Sequence, residues 1–427
     1  MTEEFLHYLW KFRLLNKELT TRSGESLTVI HPGEHNPDGG PDFLNARIRV
    51  GGTLWAGNIE MHVNEADWFR HNHHEDKAYE NVVLHVVYEE NPDVAKRIDE
   101  RFPALIITGQ YPENIFERYR EFLQNRSWIP CEKLLPDHDP FYFQQWSPAL
   151  LIERLEDRAS QWRYLLEANR FDWAETLHQI IARSFGLKIN TLPFELLAKA
   201  LPLKIILKYK VDPFKLEALA FGQAGMLTKN FQEEYPRLLK DEYGYLADKH
   251  SLSPLDSSLW KFLRLRPPAF PTIRIAQWAS LLQQADHFFD TVIECQEPEE
   301  IIQLFSAGTS EYWDNHFVFE KQSPVKKKYM GISSIHLHIL NTIAPFIYLF
   351  GHHKGIEEYR EKAISLIERI PGEKNSVVVK WKELGFPADN ALATQALIQL
   401  KSGYCDRKKC LECRIGVRIL MGLESRE

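Results

Sequence analysis

Gly40–Tyr88, GPDFLNARIRVGGTLWAGNIEMHVNEADWFRHNHHEDKAYENVVLHVVY, is the stretch on which the reading of this chain turns. Inside it, Asn58-Ile59-Glu60-Met61-His62-Val63 alternates polar and apolar side chains, the period of a strand with two unlike faces. Ile59, Met61 and Val63 face a core; Asn58, Glu60 and His62 face the other way. Ionisable groups on so apolar a strand cost free energy unless something is bound there. The preceding run, Asp42–Val50, ends at Gly51-Gly52, a hairpin signal. A tight turn sets Asp42 opposite position 61 or 62, close to Glu60 and His62, with Phe43 beside Met61. A slip of one residue would send Asp42 to the wrong face.

Working outward, Glu65–Glu80 carries a helical pattern and Val82–Tyr88 reads as an interior strand. Glu3–Phe12 is an amphipathic helix with Phe5, Leu6, Leu9 and Trp10 on one stripe. His73, Asp76 and Glu80 would share a helix face and, with His71, extend the pocket or brace His62. His85, in the interior strand, needs a hydrogen-bond partner or a ligand. His31-Pro32-Gly33-Glu34-His35 spells a zinc-protease pattern, but Pro32 and Gly33 forbid the continuous helix it requires. Glu34 remains a candidate auxiliary acid.

Ala104–Gly109 is expected as an edge strand, 114–125 as a helix and 127–140 as a connector. Helical periodicity then dominates to the C-terminus. The expected division is residues 1–126, a linker at 127–140, and a larger, mostly α-helical domain over 141–427, an α+β protein.

The 427 residues carry a formal net charge of −7, which argues against broad binding of nucleic acid through phosphate neutralisation. The acidic N-terminus is unlike a signal peptide, and Ile335–Phe350 is too short and polar to span a bilayer, so the expectation is a cytoplasmic, non-membrane protein. Cys405, Cys410 and Cys413 follow a C-x4-C-x2-C spacing that suits a metal. Cys131 is the obvious fourth ligand, with Cys295 or a histidine as alternatives. Zinc and an iron–sulfur cluster both fit, and ordinary reduced thiols are the plain reading.

The order helix, three strands, helix, strand, with Pro41-Asp42 and Glu60-x-His62, resembles the PD-(D/E)XK nuclease superfamily. That resemblance implies a restriction-endonuclease-like αβββαβ core with a mixed sheet. It implies that Asp42 and Glu60 hold Mg²⁺ or Mn²⁺, with His62 where a lysine is usual. The G-P-D-F segment, the Gly57–His62 strand, the Asp67–Val86 run and the terminal cysteines also resemble an uncharacterised bacterial domain-of-unknown-function family (DUF2851-like). The implied activity is metal-dependent phosphodiester cleavage of nucleic acid. The alternative is a nuclease-like fold that binds or scaffolds without cutting. A third reading is hydrolysis of a small phosphorylated molecule in the histidine-rich cleft. A plainer one has Asp42 capping a turn and Glu60 paired with Arg47 or Arg49.

Overall fold

Thr2 accepts the Phe5 N–H at 3.3 Å and so starts α1 (Glu3–Lys11), with Glu3 and Glu4 in its first turn and Lys11 in its last. In the computed structural model, which describes residues 1–135, 140–283, 285–306 and 308–422, this helix buries Phe5, Leu6, Leu9 and Trp10. It lies against the long central strand of a mixed sheet. The strands are β1 (Leu19–Thr20), β2 (Ser26–His31), β3 (Glu34–His35), β4 (Phe43–Val50), β5 (Thr53–Asn64), β6 (Val82–Glu89) and β7 (Ala104–Ile106). Their order is β1-β2-β4-β5-β6-β7, with β3 paired to β4. The pairings from β1 to β5 are antiparallel, whereas β5–β6 and β6–β7 are parallel. Parallel neighbours require crossovers, and each is helical in part. The first holds α2 (Asp67–Arg70) and the second α3 (Pro92–Asp99), capped by Asn91 with Pro92 at its first position.

Two expectations are corrected here. The Glu65–Glu80 helix stops after one turn, because Asn72 is left-handed (φ 59°) and ends it; a loop and a short 3₁₀ turn, Lys77–Tyr79, follow. The hairpin keeps a tight register only from Val50↔Thr53 to Ala46↔Gly57, and then Phe43 pairs with Ile59, not beside Met61. An extra residue in β4, with Asn45 at φ 57°, makes the bulge, and Asn58 Oδ1 holds it by accepting the Asn45 N–H at 3.2 Å.

The chain divides into two compact units, Met1–Phe143 with Lys401–Glu427, and Gln144–Leu400. The break differs from the expected one at the C-terminus. The cysteine-bearing tail packs with the N-terminal unit: α4 (Glu113–Gln124) lies against the terminal helix Arg414–Met421, and Arg118 Nη1 donates to Ile419 O at 3.2 Å. The expected linker is turn and 3₁₀ structure up to Leu135, and Pro136–Asp139 lie outside the described residues.

Among the described residues the second unit is mostly helical, with one small hairpin, His316–Val318 with Lys321–Gln322, and an isolated bridge between Pro371 and Asn390. Helical periodicity is interrupted at 257–263, where only a 3₁₀ turn forms at Ser257–Leu259, and it resumes as far as the short helix Ser376–Glu383 and beyond. Ile332–Lys354 is a 23-residue helix apolar enough to cross a membrane by length and composition, but 67% of its apolar window is buried in the unit's core. Its π turn at Ile339–Ile343 precedes Pro345, whose missing N–H leaves the α-helical ladder one bond short.

Gly57 explains how tightly β5 approaches β6. A Cβ there would stand 2.4 Å from Val83 Cγ1 and 2.5 Å from Asn81 O. Gly57→Ala is expected to cost about 1–3 kcal/mol, read as a lowered urea midpoint with unchanged slope.

Buried His338, beside Ser184 Oγ at 2.7 Å, gives the second unit a pH signature. Burial, with Arg274 nearby, pushes its imidazole from 6.5 down to about 3. The unfolded chain therefore takes up a proton that the folded chain refuses. Stability should be intact above about pH 6.5 and decline as pH falls from there toward 3. Thermal midpoints between about pH 7.5 and 4.5 should show this slope, and His338→Gln should make it shallower, the other buried imidazoles keeping the remainder.

Candidate metal centre

The β4 bulge determines what faces what. With Phe43 opposite Ile59, Asp42 lies across from Glu60 rather than from position 61 or 62. The two residues lock reciprocally: Asp42 N–H donates to Glu60 Oε2 at 3.3 Å, and Met61 N–H donates to Asp42 Oδ2 at 2.8 Å. The other Asp42 oxygen, Oδ1, lies 3.3 Å from His7 Nε2 of α1, near but not aligned as a hydrogen bond. Glu60 is not paired with Arg47 or Arg49, and among the described residues neither arginine forms an ion pair. That removes the plainer reading of the hairpin.

His62, two residues along β5, shares the Glu60 face, and the β5–β6 register sets His85 opposite Glu60. His62 Nδ1 meets His85 Nε2 at 2.8 Å, both rings buried. When His62 Nδ1 carries the proton of that bond, its Nε2 is left with a free lone pair 3.5 Å from Glu60 Oε1. The α2 loop adds the rest. His73 Nε2 lies 3.2 Å from the same Glu60 oxygen. Ligand atoms of His62, His71 and His73 all lie within 4.8 Å of one another. Tyr79 stacks on His73 at 3.9 Å, and buried Trp68 packs edge-on to His73 and tilted against His85, so the loop is held from beneath.

The remaining candidates fall elsewhere. Asp76 caps the 3₁₀ turn by accepting the Ala78 N–H at 2.9 Å. Glu34 is exposed in β3 opposite Leu44 and bonds to none of these groups. His7 and Glu3 were missed by the sequence reading. They lie one helical turn apart on α1, a spacing that could have marked them.

The electrostatics are those of a crowded, dry site. Burial, with the Asp42 charge beside it, pushes the Glu60 carboxyl up to about 9. Burial, then His73 and His71, push His62 down to about 3, and burial holds His85 well below the ordinary range. Burial also opposes charging of His7, yet the Asp42 carboxylate outweighs it and lifts that imidazole. No lysine or arginine neutralises Glu60 among the described residues. Neutral imidazoles plus a carboxylate form a donor set suited to zinc or a neighbouring transition metal. Mg²⁺ prefers oxygen, and one of the Asp42 oxygens is already taken by Met61 N–H.

A model of the family described as "Protein of unknown function (DUF2851)" matches residues 3–376. The chain belongs to this family. No curated protein and no solved structure matches it.

His85 bonds the ring nitrogen of His62 that points away from Glu60, as partners of metal-bound imidazoles do. In a chain that also carries Cys410→Ser and Cys413→Ser, so that thiol-bound metal is not counted, His85→Phe should therefore weaken Zn²⁺ binding about 10–100-fold in calorimetric titration, while Glu60→Gln with His73→Ala should abolish it.

Proposed function

We propose that this family member is a metal-dependent hydrolase of phosphodiester bonds in nucleic acid, its ion held by Glu60, His62, His71 and His73. The observation that carries this reading is the convergence of His62 Nε2 and His73 Nε2 on one Glu60 oxygen, at 3.5 and 3.2 Å, beside Asp42. A bound ion supplies Lewis acidity and a water of lowered pKa. Asp42, held through Oδ2 and facing His7 through Oδ1, is placed to take a proton from an attacking water, and His7 to share it. His85 keeps the His62 ring turned toward Glu60.

Two features favour a polyanionic substrate. The nuclease-like order of elements, helix, antiparallel strands, crossover and parallel strand, accompanies the paired Asp42 and Glu60. The hairpin register pairs Arg47 with Ala56 and Arg49 with Leu54, positions in phase with Asn58 and Glu60 on β5. Both arginines are exposed, on the sheet face that leads to the site. The competing reading, a nuclease-like fold that binds without cutting, has His62 in its favour, because an imidazole lacks the permanent charge of the usual lysine.

With Zn²⁺, Mn²⁺ or Mg²⁺ supplied in turn, the full chain is expected to cleave single- or double-stranded oligonucleotides with the first two ions. Glu60→Gln should lower that rate ~100-fold or more. Arg47→Ala with Arg49→Ala should weaken binding and reduce its salt dependence. Binding without cleavage under every ion would establish the noncatalytic reading. Neither binding nor cleavage would overturn both.

A further inference from the structure

The C-terminal segment bears an ordered cysteine cluster that the histidine centre does not use. The tail is anchored along α4: besides Arg118 on Ile419 O, Lys408 Nζ donates to Leu123 O. Lys401 Nζ lies 5.2 Å from the Trp128 ring centroid, and Trp128 is three residues ahead of Cys131. Cys131, Cys410 and Cys413 are buried and Cys405 is half-buried, and none is in a disulfide. The thiols of Cys131, Cys410 and Cys413 are all near enough to that of Cys405 to bear on its ionisation, and those of Cys410 and Cys413 bear on Cys131 in the same way, although Cys131 and the trio are far apart in sequence. The fifth cysteine, Cys295, lies in the core of the other unit, with its thiol on Val292 O at 3.1 Å.

The local backbone is shaped around Cys410 and Cys413. Cys413 caps the terminal helix, and its sulfur accepts the Gly416 N–H at 3.4 Å. A helix N-terminus favours a thiolate there. Gly416 admits no side chain, since a Cβ would come within 2.5 Å of Cys410 O. Lys408, left-handed at φ 54°, turns the chain between Cys405 and Cys410. Burial raises the Cys405, Cys410 and Cys413 thiols above their ordinary range, and neighbouring thiols add to this at Cys405 and Cys410.

We propose that Cys131, Cys405, Cys410 and Cys413 form a four-thiolate site for a thiophilic metal, zinc or an iron–sulfur cluster, that fastens the C-terminal segment within the N-terminal unit. On binding, each thiol releases its proton to solvent and no electrons are exchanged; a cluster needs iron and inorganic sulfide from outside. The Lys401 and Lys408 charges lie beside Cys405 and Cys410 and offset the negative charge of the filled site.

The test uses the full chain carrying Glu60→Gln and His73→Ala, so that metal at the histidine centre is not counted. It is purified without chelator from zinc- and iron-supplemented cells, in air and anaerobically. About one zinc per chain without colour, or iron with acid-labile sulfide and visible absorption, supports the site and distinguishes its two occupants. Adding Cys410→Ser and Cys413→Ser should lower that metal ~10-fold or more. On the otherwise unaltered chain, thiol labelling and proteolysis near the C-terminus should both accelerate after chelation. Absence of metal under both preparations, or labelling at the same rate with and without chelator, overturns the proposal. The labelling arm decides the matter if the serine variants do not fold.

Discussion

One inserted residue in β4 determines the character of the sheet. Extending the register from the Gly51-Gly52 turn would set Asp42 against Met61, on the face of β5 that buries Ile59. The bulge at Asn45 changes the parity of the strand, so that Phe43 stays in the core while Asp42 turns onto the face of Glu60. A buried carboxylate placed beside another raises the free energy of both when both are charged. The fold accepts that cost in a strand buried between α1 and the α2 crossover.

Other buried carboxylates in the protein show how the cost is ordinarily met. Glu65, fully buried at the end of β5, is paired with Arg22 and accepts the Asn91 N–H at 2.9 Å. Glu195 in the second unit has Arg183 and Lys199. Glu60 has neither, only imidazoles that burial keeps neutral. A network of this kind is relieved either by a proton on Glu60 or by a bound cation, and such local conflicts gather where a protein binds or reacts.

Much of this was legible in the sequence. Strict alternation in Asn58–Val63 marked the two faces of β5, the apolar run at Val82–Tyr88 marked an interior strand, and the stripe of Phe5, Leu6, Leu9 and Trp10 marked α1. Several features were hidden. Period-two reasoning from a turn assumes an unbroken register, so the Asn45 bulge could not be seen. Helical spacing in Glu65–Glu80 was overruled by the left-handed Asn72 and by Tyr79 and Trp68 packing into a cluster with Phe102. The two-residue strands β1 and β3 carry too few alternating residues to be recognised. The tail was assigned by continuity with the helices before it, whereas its packing against α4 is a contact between distant stretches of chain, which local periodicity does not encode.

The loop that replaced the helix is also what makes the histidines converge. On a continuous helix, residues two apart point to different sides, so His71 and His73 could not have approached one ion together. The left-handed Asn72 between them reverses the chain, and their rings come to 5.3 and 5.2 Å from that of His62. Asp76, which a helix would have aimed into the pocket, is spent instead on capping the next turn. The break in the helix therefore exchanges an acidic face for an imidazole one. It moves the donor set away from the oxygen-rich cage that suits magnesium and toward the nitrogen-rich one that suits zinc.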